Sequence, residues 1–164
     1  MSIKRISTLV FLMASAAMLL LGALLLPWWE GELPVGSFQI DLRSMQMCVE
    51  EVCRDPKPLS MADASGEGWA KIGISAFAAS LVAALLLMGC VWKTILRRPK
   101  STFHWIAGVM AFFAGVLGLL FIWLRPEFGH WNPSYGLACC LAGAIVGAIA
   151  ASASARVAET EKAA

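Results

Sequence analysis

The chain has 164 residues, of which 59% are hydrophobic and only 15% charged. A soluble domain of this length cannot hide so much apolar surface, and its charged share would be about a quarter, so the bilayer is the expected solvent for much of it. The net charge of +2 gives no basis for nucleic-acid binding. No Gly-rich phosphate loop and no zinc-type Cys/His spacing occur, so no metal or cofactor is expected, and the length allows one compact membrane domain.

An apolar run of about 20 residues crosses the hydrocarbon core as a helix. The first such run is residues 6–26, which carry no charge. Lys4 and Arg5 ahead of it give it the look of a cleaved signal peptide. The run is longer than a usual signal core, however, and ends at Leu26-Pro27-Trp28 without a small-x-small site; Ala14 and Ala16 supply that pattern only mid-run. It is expected to remain as a membrane helix.

Residues 27–71 form the one sizeable polar segment and are expected to be an extracytoplasmic loop with a short β hairpin. Phe38, Ile40 and Leu42 alternate with Ser37, Gln39, Asp41 and Arg43, the period-two pattern of a half-exposed strand with the apolar residues turned inward. Met45, Met47 and Val49 continue the alternation after a one-residue slip near Ser44, where a bulge or turn fits. Four residues separate Cys48 from Cys53, a spacing suited to a tight hairpin with bridged flanks. The alternatives are two reduced thiols or pairing with another chain. A bond closing so short a loop contributes roughly 2 kcal/mol and pins only the hairpin. After Pro56 and Pro58, residues 60–68 are small and polar and are expected to be mobile.

The second run, residues 72–92, is uncharged, and the third, 103–124, carries only His104 at its start. The fourth, 135–155, is again uncharged. The expected fold is an all-α membrane protein, a four-transmembrane-helix bundle with a small extracellular β segment in the first loop. Tryptophan prefers the headgroup boundary, and all seven fall at the ends of these runs: Trp28, Trp29, Trp69, Trp92, Trp105, Trp123 and Trp131. They are read as interfacial anchors. At about 1.5 Å per residue, Trp69 to Trp92 covers roughly 35 Å and Trp105 to Trp123 roughly 27 Å, each close to a bilayer core. Lys4, Arg5, Lys93, Arg97, Arg98, Lys100, Arg156 and Lys162 share one side with only Glu159 and Glu161, whereas nine of the 11 acids fall on the other. By the positive-inside rule, both termini are expected in the cytoplasm of a multi-pass cell-membrane protein.

Three features resemble a known group: a first helix ending in Trp28-Trp29, a loop β segment with the Cys48/Cys53 pair, and three further helices with a short second loop. Together they resemble the claudin and peripheral myelin protein superfamily of tetraspans. The resemblance is one of topology and implies a claudin-like bundle with a small extracellular sheet. That family's first-loop Gly-Leu-Trp signature has no counterpart, Arg43, Ser44 and Met45 standing in its place, so junction sealing is not implied.

The spans hold no ionisable residue away from their ends and no interior proline, which disfavours transport or catalysis within the bilayer. His104 and His130 are expected on opposite membrane faces, as interfacial polar residues that cannot share one haem iron. A small acid/His site with Glu127 and His130 lacks a nucleophile. Small residues recur instead: Gly143, Gly147 and Ala151 in one stripe of the fourth helix, Gly136, Cys140, Ala144 and Ala148 in a second, and Gly115 and Gly118 on the third. These are helix-packing positions. Closure of the bundle is their first use, and a second stripe on the fourth helix leaves one for a partner. Cys139 and Cys140, near the same side as Cys48 and Cys53, evoke four-helix thiol–quinone oxidoreductases, although no Cys-x-x-Cys is present. The expected function is therefore a non-enzymatic claudin-like scaffold or adaptor, acting through helix packing and its extracytoplasmic loop. Its partners would be the lipid bilayer and other membrane proteins or a second copy. An accessory subunit of a larger membrane complex and a thiol–quinone oxidoreductase are the alternatives.

Overall fold

A computed structural model describes residues 3–33, 36–49, 52–59, 66–96, 101–124 and 130–163. Four long helices dominate: α1 (Ile3–Leu25), α2 (Gly66–Ile95), α3 (Ser101–Trp123) and α4 (Tyr135–Ala163). Each holds a stretch of at least 20 residues with mean hydropathy of 2.0 to 2.4, long and apolar enough to cross a membrane. The protein is a multi-pass membrane protein. Each helix packs against its neighbour in chain order and α4 closes the ring against α1.

Small residues make up much of the bundle interior, and many large ones face outward. Ala16, Ala17, Ala76, Ala83, Ala107, Ala111 and Ala151 are buried, whereas Phe112 is 63% exposed. Between helices in lipid there is no hydrophobic driving force, so close backbone approach and van der Waals packing hold them. A Cβ on Gly143 would lie 3.1 Å from the Ala16 carbonyl oxygen of α1, and one on Gly115 would lie 2.9 Å from Ala144 Cβ. Gly147 sits where the other three helices converge: its Cβ would meet Leu87 at 2.9 Å, Ala111 at 3.3 Å and Ala16 at 3.4 Å.

Both stripes of α4 are consumed in this way. Gly136 lies against Leu26, Pro27 and Trp28, and Cys140 and Ala144 are buried. The expectation of a stripe left for a partner is therefore corrected. Because α4 lies between α1 and α3, it needs two small faces, and its exposed side carries Ile145 and Ile149.

Two helices outrun their apolar cores. The segment expected to be mobile divides: residues 60–65 lie outside the described residues, while Gly66 already opens α2. Past residue 155, α4 continues because Ala158 is still buried and Ser101 Oγ donates to Glu159 Oε1 at 3.1 Å. That contact also sets an acid beside the N-terminus of α3, where the helix dipole favours it.

On one end of the bundle lies an antiparallel sheet of β1 (Trp29–Leu33), β2 (Gly36–Ile40), β3 (Ser44–Val49), β4 (Val52–Cys53), β5 (Lys57–Pro58) and β6 (His130–Pro133). The order is β4-β3-β2-β1-β6, with β5 beside β4 on the outer edge of β3. The slip near Ser44 is a turn: Asp41 N donates to Ser44 O at 3.0 Å, and the Asp41 carboxylate accepts from the N–H groups of Arg43 and Ser44. Phe38, Ile40 and Leu42 are buried, as the alternation predicts. The β segment is not confined to the first loop, because β6 comes from the connection between α3 and α4 and pairs with β1 from Trp29↔Pro133 to Glu32↔His130.

Candidate functional site

The junction of sheet and bundle is built around Trp28 and Phe121. Leaving α1, the chain turns through Pro27, and Trp28 points back into the bundle, its Nε1 donating to Ala23 O at 2.7 Å. The Trp28 ring meets Phe121 of α3 edge-on at 5.7 Å, and Trp69 of α2 stacks on the same ring at 4.5 Å. Trp69 Nε1 donates to Phe121 O at 2.7 Å. One phenyl ring therefore joins the ends of three helices. The fourth is tied by backbone: Ser134 N donates to Trp28 O and Gly136 N to Pro27 O, each at 3.0 Å, which satisfies donors at the start of α4. Gly73 completes the seam, since a Cβ there would lie 2.7 Å from Leu42 O and 2.9 Å from Phe121. The Arg43 guanidinium lies 4.5 Å over the Phe77 ring and ties the β2–β3 turn to α2.

This burial changes the surroundings of several tryptophans. Trp28, Trp29 and Trp69 are enclosed by protein, and for Trp28 and Trp69 a carbonyl takes the place of headgroup water. Trp92, Trp105 and Trp123 are exposed on the helix surface. Trp131 lies in β6, opposite Gly31.

The exposed face of the sheet is polar. Cross-strand register aligns Asn132, Glu30, Gln39 and Gln46 in one row, and Glu30 accepts from Ser134 Oγ at 3.1 Å. Cys48 and Cys53 pair across β3 and β4 and form the expected disulfide. Beside it Met47, Val49 and Val52 are exposed apolar residues, Val52 at 71%. Between Gln39 and Gln46 of the polar row and the end of α1, a cavity of about 160 Å³ opens, lined also by Leu25, Pro27, Asp41, Ser44 and Pro56.

The cysteines are not brought together. Cys140 is buried within the bundle, its Sγ 3.9 Å from Ser80 Oγ and 3.8 Å from Ala114 O, and Cys139 is half-buried beside it. The disulfide bridges β3 and β4 in the sheet, whereas Cys140 packs inside the bundle against Ser80 and Ala114. Cys90 is buried at the opposite end of the bundle.

His104, expected at the interface, is instead fully buried. Thr94 Oγ1 gives its proton to Cys90 O at 2.8 Å, so it accepts at 3.3 Å from His104 Nε2–H. Nearby, Lys93 Nζ lies 3.8 Å over the Phe103 ring. Glu127 falls outside the described residues, so the Glu127/His130 pairing has no geometry here. Among the described residues no three His, Cys, Asp or Glu side chains are grouped to hold a metal ion.

The sequence alternation located the hairpin, and the cysteine spacing its disulfide, but neither pointed to the Trp28–Phe121–Trp69 seam, which joins residues far apart in the chain. No family model and no curated protein matches the chain.

Proposed function

We propose that the protein is a non-enzymatic, claudin-like tetraspan scaffold that displays the sheet outside the cell, with both termini in the cytoplasm. The observation that carries this reading is the Trp28–Phe121–Trp69 seam, which joins the ends of three helices beneath a sheet drawn from the α1–α2 and α3–α4 connections. A loop that only connected helices would need no such attachment. The exposed Met47, Val49 and Val52 beside the disulfide give the sheet an apolar contact point on a pinned hairpin. The oxidoreductase alternative has less support, because the disulfide lies in the sheet while Cys140 is buried in the bundle against Ser80 and Ala114.

Orientation is tested with C-terminal fusions: green fluorescent protein should fluoresce and alkaline phosphatase should stay inactive, and the reverse would overturn the topology. For the scaffold role, the protein is purified in mild detergent as wild type and as the Val49→Ser/Val52→Ser variant, and its assembly is sized by light scattering. A homomer that dissociates in the variant supports self-association through the sheet. A defined hetero-complex unaffected by the variant would replace this reading with that of an accessory subunit.

A further inference from the structure

The cavity at the end of α1 has a chemistry that selects its occupant. Its floor is Leu25, the last residue of α1 and 85% exposed, together with Pro27. Leu25 also ends the apolar stretch Ile6–Leu25, so the floor lies level with the boundary between acyl chains and headgroups. The polar wall is Gln39, Asp41, Ser44 and Gln46, and Pro56 completes the lining.

That wall offers acceptors. The Asp41 carboxylate is held in place by Arg43 N at 2.6 Å, Ser44 N at 2.6 Å and Ser44 Oγ at 2.9 Å. Gln46 Nε2 donates one of its two N–H groups to Arg54 O at 3.2 Å, and its amide oxygen is an acceptor. Among the described residues no lysine or arginine side chain lines the cavity. An anion is therefore disfavoured, and a cation carrying N–H donors fits.

Size narrows the choice further. At about 160 Å³ the cavity is well below the roughly 300–1,000 Å³ of sites that enclose a drug-sized ligand, and it suits a headgroup fragment. We propose that it seats the primary ammonium of an aminophospholipid headgroup from the leaflet on the sheet side. The ammonium donates to Asp41 and Gln46, and the glycerol and acyl portion continue over Leu25 and Pro27. A trimethylammonium headgroup has no N–H to give, and a phosphatidylglycerol headgroup brings no cation. The inference does not depend on which side of the membrane the sheet faces.

The test is native mass spectrometry of the full chain in detergent, titrated separately with phosphatidylethanolamine, phosphatidylcholine and phosphatidylglycerol of identical acyl chains. Phosphatidylethanolamine adducts should exceed the other two by about ten-fold, the value of one charge-assisted hydrogen bond. Asp41→Asn keeps the turn, because its oxygen still accepts the backbone N–H groups, and it should bring phosphatidylethanolamine down to the phosphatidylcholine level. Gln46→Leu leaves the Asp41 turn intact, should act in the same direction, and decides the matter if Asp41→Asn fails to fold. Soluble phosphoethanolamine at equal concentration should not displace the lipid. Equal adducts for all three lipids, no effect of Gln46→Leu, or full displacement by soluble phosphoethanolamine would each overturn the proposal.

Discussion

Replacing Phe121 with alanine should separate the seam from the rest of the bundle. The ring is fully buried, stacked on Trp69 at 4.5 Å and met edge-on by Trp28 at 5.7 Å. Truncating a buried phenylalanine costs about 3–5 kcal/mol, within which each aromatic pair contributes about 0.5–1.5 kcal/mol. Phe112, two and a half turns away on the same helix, is 63% exposed. Its truncation exchanges one lipid contact for another and should cost under about 1 kcal/mol, since lipid tails are as apolar as the ring. The buried thiols of Cys90 and Cys140 supply the assay. Their reaction with a fluorogenic maleimide along a denaturant titration in maltoside micelles reports unfolding, and half-buried Cys139 sets the background. Phe121→Ala should move the midpoint several times further than Phe112→Ala, with protease sites opening first in the sheet. Equal shifts for the two variants would refute the seam as the attachment.

Two further predictions use the same assay. Gly147→Leu should destabilise by about 1–3 kcal/mol or more through overpacking, because its Cβ would already meet three helices; Gly22→Leu should be tolerated, with nothing within 4 Å of the Cβ position. Equal effects would mean that α4 does not approach its neighbours this closely. Thr94→Val should cost about 1–3 kcal/mol by depriving buried His104 Nε2–H of its acceptor, while Thr94→Ser should restore most of the loss. Failure of serine to restore it would assign the effect to the methyl group instead.

The four apolar helices were legible because each is an uncharged run of the right length, a demand imposed by lipid and independent of tertiary contacts. Their ends were less so. Arg156 ends the hydrophobic run but not the helix, which continues on the packing of Ala158 and the Ser101–Glu159 contact. Within the loop, β2 and β3 were readable from alternation. By contrast β1, Trp-Glu-Gly-Glu-Leu, has two acids and a glycine, poor strand formers on their own. It is a strand because β2 and β6 pair on its two sides, and β6 lies about a hundred residues away. Tryptophans at helix ends suggested headgroup anchoring, but nothing local distinguishes a ring that turns to lipid from one that turns inward, as Trp28 and Trp69 do. The two stripes of α4 were visible as small residues, while their shared use followed from ring order, which a single sequence does not specify.

The pairing of β1 with β6 also has a consequence in time. Strands β1 to β5 are synthesised before α2, but β6 emerges only between α3 and α4. Until the last hairpin of helices has been threaded through the bilayer, β1 presents a bare edge of unpaired backbone groups, a template for aberrant pairing. The nascent chain must hold that edge open while the 58 residues from Gly66 to Trp123 are delivered. Slow insertion of the third and fourth helices should therefore show itself first as misassembly outside the membrane, at a strand those helices never touch in sequence.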